Sequence, residues 1–220
     1  MAVLETDRAP LAAGALARRA MIDSQLRTSG VNEPAVLAAF ASLAREAFVP
    51  EARRAVAYAD RAVPLGHGRV LAPAATHGAM LTAAAPRSAD HALLIGGGTG
   101  YLAALVAPLV GRLDVVESEH ALVAAAPEML GRWHEGPLEA GCATHAPYSL
   151  ILVDGAVEQV PDAIAAQLAE NGRLVTGVIE RGVPRLALAR KAAGALSFAV
   201  LAEADVAPLA AFAAAKRWSF

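Results

Sequence analysis

One cysteine, Cys142, stands in 220 residues, so an internal disulfide is excluded and a reducing compartment suits the chain. With no base beside it in the sequence, that thiol reads as inert. Aromatic residues make up 5% and charged residues 18%, against 56% hydrophobic, which excludes disorder. A net charge of −2 leaves no global field to recruit nucleic acid or an acidic membrane. No apolar run is long enough to cross a bilayer: the best, 92–116, is broken by glycines, Pro108, Gly111, Arg112 and Asp114. A signal peptide is not expected, because Glu5 and Asp7 precede the short 11–17 apolar stretch and Arg18-Arg19 follow it. A cytoplasmic protein is expected, with no membrane or nucleic-acid partner and an oligomeric state that no pattern reveals. Nor is a metal site expected. His67, His77, His134 and His145 never fall at i, i+3 or i+4 from one another, and no cysteine pair accompanies them.

What is present centres on residues 90–118. Leu93, Leu94 and Ile95 form a short apolar run ending at Gly96-Gly97-Gly98-Thr99-Gly100-Tyr101, the pattern of a buried parallel strand entering a tight turn. The alanine- and leucine-rich stretch 101–110 then predicts a helix. Glycines suit a turn that takes positive φ and lets a ligand approach the backbone. Their G-x-G-x-G spacing departs from the dinucleotide G-x-G-x-x-G, whose last place is Tyr101, which favours an adenosyl ligand without a pyrophosphate over a nicotinamide cofactor. A second apolar segment, 113–116, ends at Glu117, about 20 residues after the first glycine, where a carboxylate grips a ribose diol.

These residues resemble the S-adenosylmethionine site of Rossmann-like methyltransferases. Met21-Ile22-Asp23-Ser24-Gln25-Leu26, Arg45-Glu46-Ala47-Phe48-Val49-Pro50, Ala57-Tyr58-Ala59-Asp60, Val63-Pro64-Leu65-Gly66, Ala146-Pro147-Tyr148, Val160-Pro161-Asp162-Ala163 and the run 167–175 are similar to the protein-L-isoaspartate O-methyltransferase family. The resemblance implies S-adenosyl-L-methionine as cofactor and methyl transfer to the side carboxylate of an isoaspartyl residue in a damaged protein or peptide. It implies cofactor contacts from Ile95, Gly96, Gly97, Gly98, Thr99, Gly100, Glu117 and Ser118, with Glu135 as the acid at the adenine edge. Asp154, at the end of a further apolar run, either lines the same crevice or caps a turn. The family carries hydroxyl residues where Arg69 and Leu71 stand here, lining the site for the isoaspartyl carboxylate. Arg69, Leu71 and His67 are therefore the substrate-cleft candidates, and no catalytic residue is assigned. Two alternatives stand beside this reading: a methyltransferase with another acceptor, and a non-catalytic protein that binds S-adenosylmethionine or S-adenosylhomocysteine.

The expected fold is α/β, a Rossmann-like, doubly wound, mostly parallel sheet with an N-terminal helical addition. Residues 1–75 would form the helical region and cleft loop, and 76–220 the cofactor domain. Helices are expected over 11–28, closed by Gly30, and after Asn32, with Asn32 as cap and Pro34 in the first turn. Composition makes 64–73 a loop and 76–85 a helix. Further expectations are a helix over 119–130 that Pro127 ends early, a third strand near 133–137 and a buried strand over 150–153. After these come a helix opened by Pro161 and ended by Asn171-Gly172, a strand over 173–178, a closing strand pair at 184–190 and 197–201, and a last edge strand at 216–220. Arg45, Arg53 and Arg54 read as a solvated helix face.

Overall fold

A computed structural model describes residues 8–126 and 130–214. The two expected helices come first. Helix α1 (Arg8–Met21) continues into a π turn over Ile22–Leu26 and a 3-10 turn over Arg27–Ser29, which Gly30 closes in the left-handed region, φ 82°. Helix α2 (Pro34–Ser42) starts on Pro34, whose ring fixes φ for the first turn. Its cap is Glu33 rather than Asn32, and no side chain bonds the first amides.

The stretch 64–73 is not a loop. It forms a hairpin of β1 (Val63–Gly66) and β2 (Arg69–Leu71), paired antiparallel with Val63 opposite Leu71 and Gly66 opposite Arg69. His67 and Gly68, with φ of 52° and 70°, make the two-residue turn, the positive-φ geometry that matches strand twist. Composition hid the strands because each is short and glycine and proline dominate the segment. Helix α3 (Ala74–Ala84) follows directly and buries Met80 and Leu81.

A seven-stranded sheet carries the rest, in the order β5-β4-β3-β6-β7-β8-β9. Strands β3 (His91–Ile95), β4 (Arg112–Glu117), β5 (Arg132–Glu135), β6 (Tyr148–Val157) and β7 (Leu168–Glu180) run parallel, and β8 (Val183–Ala192) and β9 (Ala195–Glu203) close the sheet antiparallel, as the alternation of Leu186, Leu188 and Arg190 suggested. Leu93, Leu94 and Ile95 are completely buried, each stabilising the fold by about 1.5–3 kcal/mol. Alternate residues of β3 point to opposite faces. Ala92 and Leu94 join the core with α2 to α4, while Leu93 and Ile95 join a second core with Ile164 and Phe212.

The connecting helices are shorter than the sequence suggested. Helix α4 (Tyr101–Val106) gives way to a 3-10 turn over Ala107–Leu109 because Pro108 cannot continue the amide ladder. Helix α5 (His120–Ala125) stops before Pro127, and α6 (Asp162–Gln167) ends at Gln167 rather than at Asn171-Gly172, which lie within β7. Pro161 precedes α6 as its cap. The expected strand at 216–220 lies outside the described residues.

Candidate functional site

The parallel strands set their carboxyl ends along one edge, where α/β sheets bind ligands. At the tip of β3 the chain turns through Gly96, Gly98 and Gly100, with φ of 83°, 53° and 93°, values a Cβ opposes. The amides of Gly96 and Gly97 both donate to the Val116 carbonyl, at 2.9 and 3.2 Å, fastening the turn to β4. Gly97 has a second constraint: a Cβ there would lie 2.5 Å from Val115 and 2.6 Å from the Trp133 ring. Thr99 donates through Oγ1 to the Phe48 carbonyl at 2.6 Å, tying the turn to the N-terminal region.

Glu117 is completely buried at the tip of β4. Its carboxylate accepts the Gly98 amide at 2.9 Å, the Ser118 amide at 2.7 Å and the Glu119 amide at 3.2 Å. Arg69, from the hairpin, adds a two-pronged ion pair: Nη2 to Oε1 at 3.0 Å and Nε to both oxygens at 3.2 Å. Burial works to raise the Glu117 pKa, but Arg69 and the amides outweigh it and hold the carboxyl below its usual range. Arg69 Nη2 also reaches Ser118 Oγ at 3.0 Å. The hairpin is thereby latched over the glycine turn. The cavity between them, lined by Arg69, Leu71, Gly96, Gly98, Thr99 and Asp154, has a volume of about 20 Å³, room for roughly one water.

The remaining candidates lie at different depths around this latch. Ile95 is buried at the end of β3. Glu135 sits opposite Glu117 in the β4–β5 register and is exposed, with His120 Nδ1 2.8 Å from its Oε2. His67 projects from the hairpin turn, half exposed, 3.7 Å from Glu119. Leu71 is only 2% exposed and belongs to the core. Asp154 neither ends a strand nor caps a turn. Leu152 pairs with Val175 and Ala156 with Gly177, so β6 bulges between them and aims Asp154 into the cavity. Gly155 is required in that bulge, since a Cβ would meet Leu209 at 2.3 Å.

Two polar residues beneath the cleft escaped the sequence reading. Arg45 is buried, not solvated: Nε donates to the Ala57 carbonyl and Nη2 to the Ala72 carbonyl, each at 2.6 Å, and the guanidinium lies 4.7 Å from the centre of the Tyr101 ring. Burial lowers its pKa, opposed by Tyr101 and Asp154, and burial raises that of Tyr101. His77, on α3, is completely buried with Nε2 3.0 Å from Asp154 Oδ1. Arg45 Nη1, Tyr101 Oη and His77 Nδ1 have no partner among the described residues. The only advance signal was a charged residue at the head of an apolar segment, which a solvated arginine shares. Among the described residues no helix is long and apolar enough to cross a membrane.

The profile of the protein-L-isoaspartate(D-aspartate) O-methyltransferase family matches residues 17–211. The chain is 38% identical over 202 residues to the protein-L-isoaspartate O-methyltransferase of Koribacter versatilis, covering 89% of this chain and 91% of that one. It is 38% identical over 168 residues to the enzyme of the same name from Methylorubrum populi, covering 74% and 79%. Among solved structures, one protein-L-isoaspartate O-methyltransferase superposes with a TM-score of 0.76 at 20% identity, over 87% of this chain and 65% of that chain. A putative one from Plasmodium falciparum, in complex with S-adenosyl-L-homocysteine, superposes with 0.74 at 17% identity, over 87% and 97%.

Proposed function

The chain belongs to the protein-L-isoaspartate(D-aspartate) O-methyltransferase family, and from that membership we propose that it transfers a methyl group from S-adenosyl-L-methionine to the side carboxylate of an isoaspartyl residue in a damaged protein. The observation that carries the reading is Glu117: buried at the tip of β4 and held in place by the Gly98 amide, it offers a ribose two carboxylate oxygens beside a turn of positive-φ glycines. The residues present fit an adenosyl group, because three amides orient Glu117 without help from Arg69. In this assignment Ile95, Gly96, Gly97, Gly98, Thr99 and Gly100 form the cradle, Glu117 and Ser118 face the ribose, Glu135 the adenine edge, and Asp154 the far wall. Arg69 gives up its ion pair to admit the ligand.

The cofactor supplies an electrophilic sulfonium methyl. The acceptor carboxyl is already ionised at neutral pH, with an ordinary pKa near ~4, so the chain needs no general base. Its residues contribute placement and dryness. Tyr101, whose hydroxyl has no partner among the described residues, lines the cavity, and the Arg45 guanidinium against its ring sets a positive charge behind it, which suits an anionic acceptor.

A second reading, the same enzyme class with a different acceptor, is favoured by the hairpin. Neither residue carries a hydroxyl, and with Leu71 packed in the core and Arg69 engaged with Glu117 neither is placed to hold an isoaspartyl carboxylate in its stead. Transfer of label from S-adenosylmethionine to an isoaspartyl peptide, with the matching aspartyl peptide as control, tests the first reading. A base-labile methyl ester on the isoaspartyl peptide alone is expected. Cofactor binding without that ester moves the conclusion to the second reading, and a folded protein that binds no S-adenosylhomocysteine sinks both.

A further inference from the structure

On the other face of the sheet, the short connection from β5 to β6 brings four donor atoms together. In place of a crossover helix it holds two 3-10 turns, Leu138–Ala140 and Ala143–His145. The second delivers Cys142 and His145, three residues apart, to Asp114 of β4 and His134 of β5. His134 Nε2 and His145 Nδ1 each lie 2.8 Å from Asp114 Oδ1, and Cys142 Sγ lies 3.7 Å from His145 Nδ1. All four donor atoms lie within 4.8 Å of one another.

From this convergence we infer that Asp114, His134, Cys142 and His145 bind a divalent cation of Zn²⁺ type. Metal–nitrogen and metal–oxygen bonds of about 2.0–2.2 Å and a metal–sulfur bond of about 2.3 Å put tetrahedral donors roughly 3.3–3.8 Å apart, so the Asp114–histidine pairs at 2.8 Å must open by about 0.5 Å and no pair, all being within 4.8 Å, must close by more than about 1.5 Å. The donor set of two imidazoles, a thiolate and a carboxylate is one such a cation prefers, and the two anionic donors balance its charge. Hydrogen bonding alone explains the histidines around Asp114, but it does not bring the thiol there.

The surroundings hold the donors in place. His91 Nε2 lies 2.8 Å from Asp114 Oδ2, which leaves Oδ1 facing the other three. The backbone of Cys142 is fixed from both sides: its amide donates to Gln167 Oε1 at 2.8 Å and its carbonyl accepts the Tyr148 hydroxyl at 2.8 Å. Gly141, with φ of 60°, precedes it, and a Cβ there would meet Gln167 at 2.7 Å. Asp114 and His145 also line a surface cavity of about 350 Å³, which gives an ion a way in. Arg132 Nη1, 2.8 Å from His145 Nε2, must turn outward when Nδ1 coordinates, and its side chain is exposed and free to do so. Binding releases the thiol proton to solvent as the sulfur–metal bond forms. Asp114 lies an odd number of residues before Glu117, so its side chain leaves the opposite face of β4 and the site does not share the methyl-transfer cleft.

The experiment is a titration of the reduced, chelator-treated full chain with Co²⁺ followed by absorbance. One equivalent is expected to produce the intense visible bands of a four-coordinate ion and a near-ultraviolet thiolate-to-metal band, and one equivalent of Zn²⁺ to remove both. Cys142→Ser is expected to lose the near-ultraviolet band, and His91→Asn to weaken binding about 10–100-fold. The wild-type spectrum is read first, so the test does not depend on a variant folding. Only weak six-coordinate bands, or a near-ultraviolet band that survives Cys142→Ser, overturns the site.

Discussion

Replacing Arg69 should tighten cofactor binding. In the latched hairpin its guanidinium holds the Glu117 carboxylate that the ribose needs, with 13% of the arginine side chain and none of the glutamate's exposed. A charge-assisted pair of this kind contributes a net of about 1.5–3 kcal/mol. If it must open before the ligand enters, that energy is subtracted from the binding free energy. Arg69→Ala should therefore lower the Kd for S-adenosylhomocysteine by roughly tenfold to a hundredfold. Glu117 stays oriented in the variant because the Gly98, Ser118 and Glu119 amides still hold it. Arg69→Met keeps most of the side-chain stem and should behave alike, which separates charge from packing. Calorimetric titration of the three proteins measures the effect. An unchanged or raised Kd in both variants would refute the latch and make Arg69 a ligand-holding residue. Both variants should lose about 1–3 kcal/mol of folding stability, read as a lower Tm.

Other expected outcomes rest on the same contacts. Gly98→Val should abolish the binding heat while leaving the fold, because φ of 53° opposes a β-branched residue and its Cβ would lie 3.3 Å from Leu65, on the cleft side. Leu71→Ser should leave S-adenosylhomocysteine affinity unchanged yet cost about 2–5 kcal/mol in denaturant unfolding, since Leu71 is a core residue; equal weakening of binding by both variants would show the hairpin is misassigned. Asp90→Asn should destabilise by about 3 kcal/mol at neutral pH, because Asp90 receives Arg173, Ser149 and the Arg87 amide in a buried site. Burial works to raise the Asp90 pKa, but those hydrogen bonds outweigh it and hold it below the ordinary value. Its contribution is therefore present above the unfolded pKa of about 4 and is lost as pH falls through the lower folded value, so acid unfolding of wild type and variant should converge there; curves that stay parallel would refute the assignment.

What the sequence by itself determined is what one or two neighbouring elements decide. The run Leu93-Leu94-Ile95 into Gly96, and the apolar segment ending at Glu117, announce a strand, a turn and a carboxylate at the next strand tip, because strand burial and positive φ are local demands. The family resemblance rests on such segments taken in order. Helix ends were harder to read: α4 and α6 stop early where Pro108 and the pairing of Leu168 with Tyr148 override helix propensity. Only the tertiary structure decided which side chains meet. Arg69 and Glu117 are 48 positions apart and join because the hairpin folds back over the β4 tip. Arg45 reads as solvated until the carbonyls of Ala57 and Ala72 close around it. Cys142 has only His145 in its own stretch, and a short connection is what sets the two beside His134 and Asp114. Strand register and chain crossing fix those distances, and no local pattern of residues encodes them.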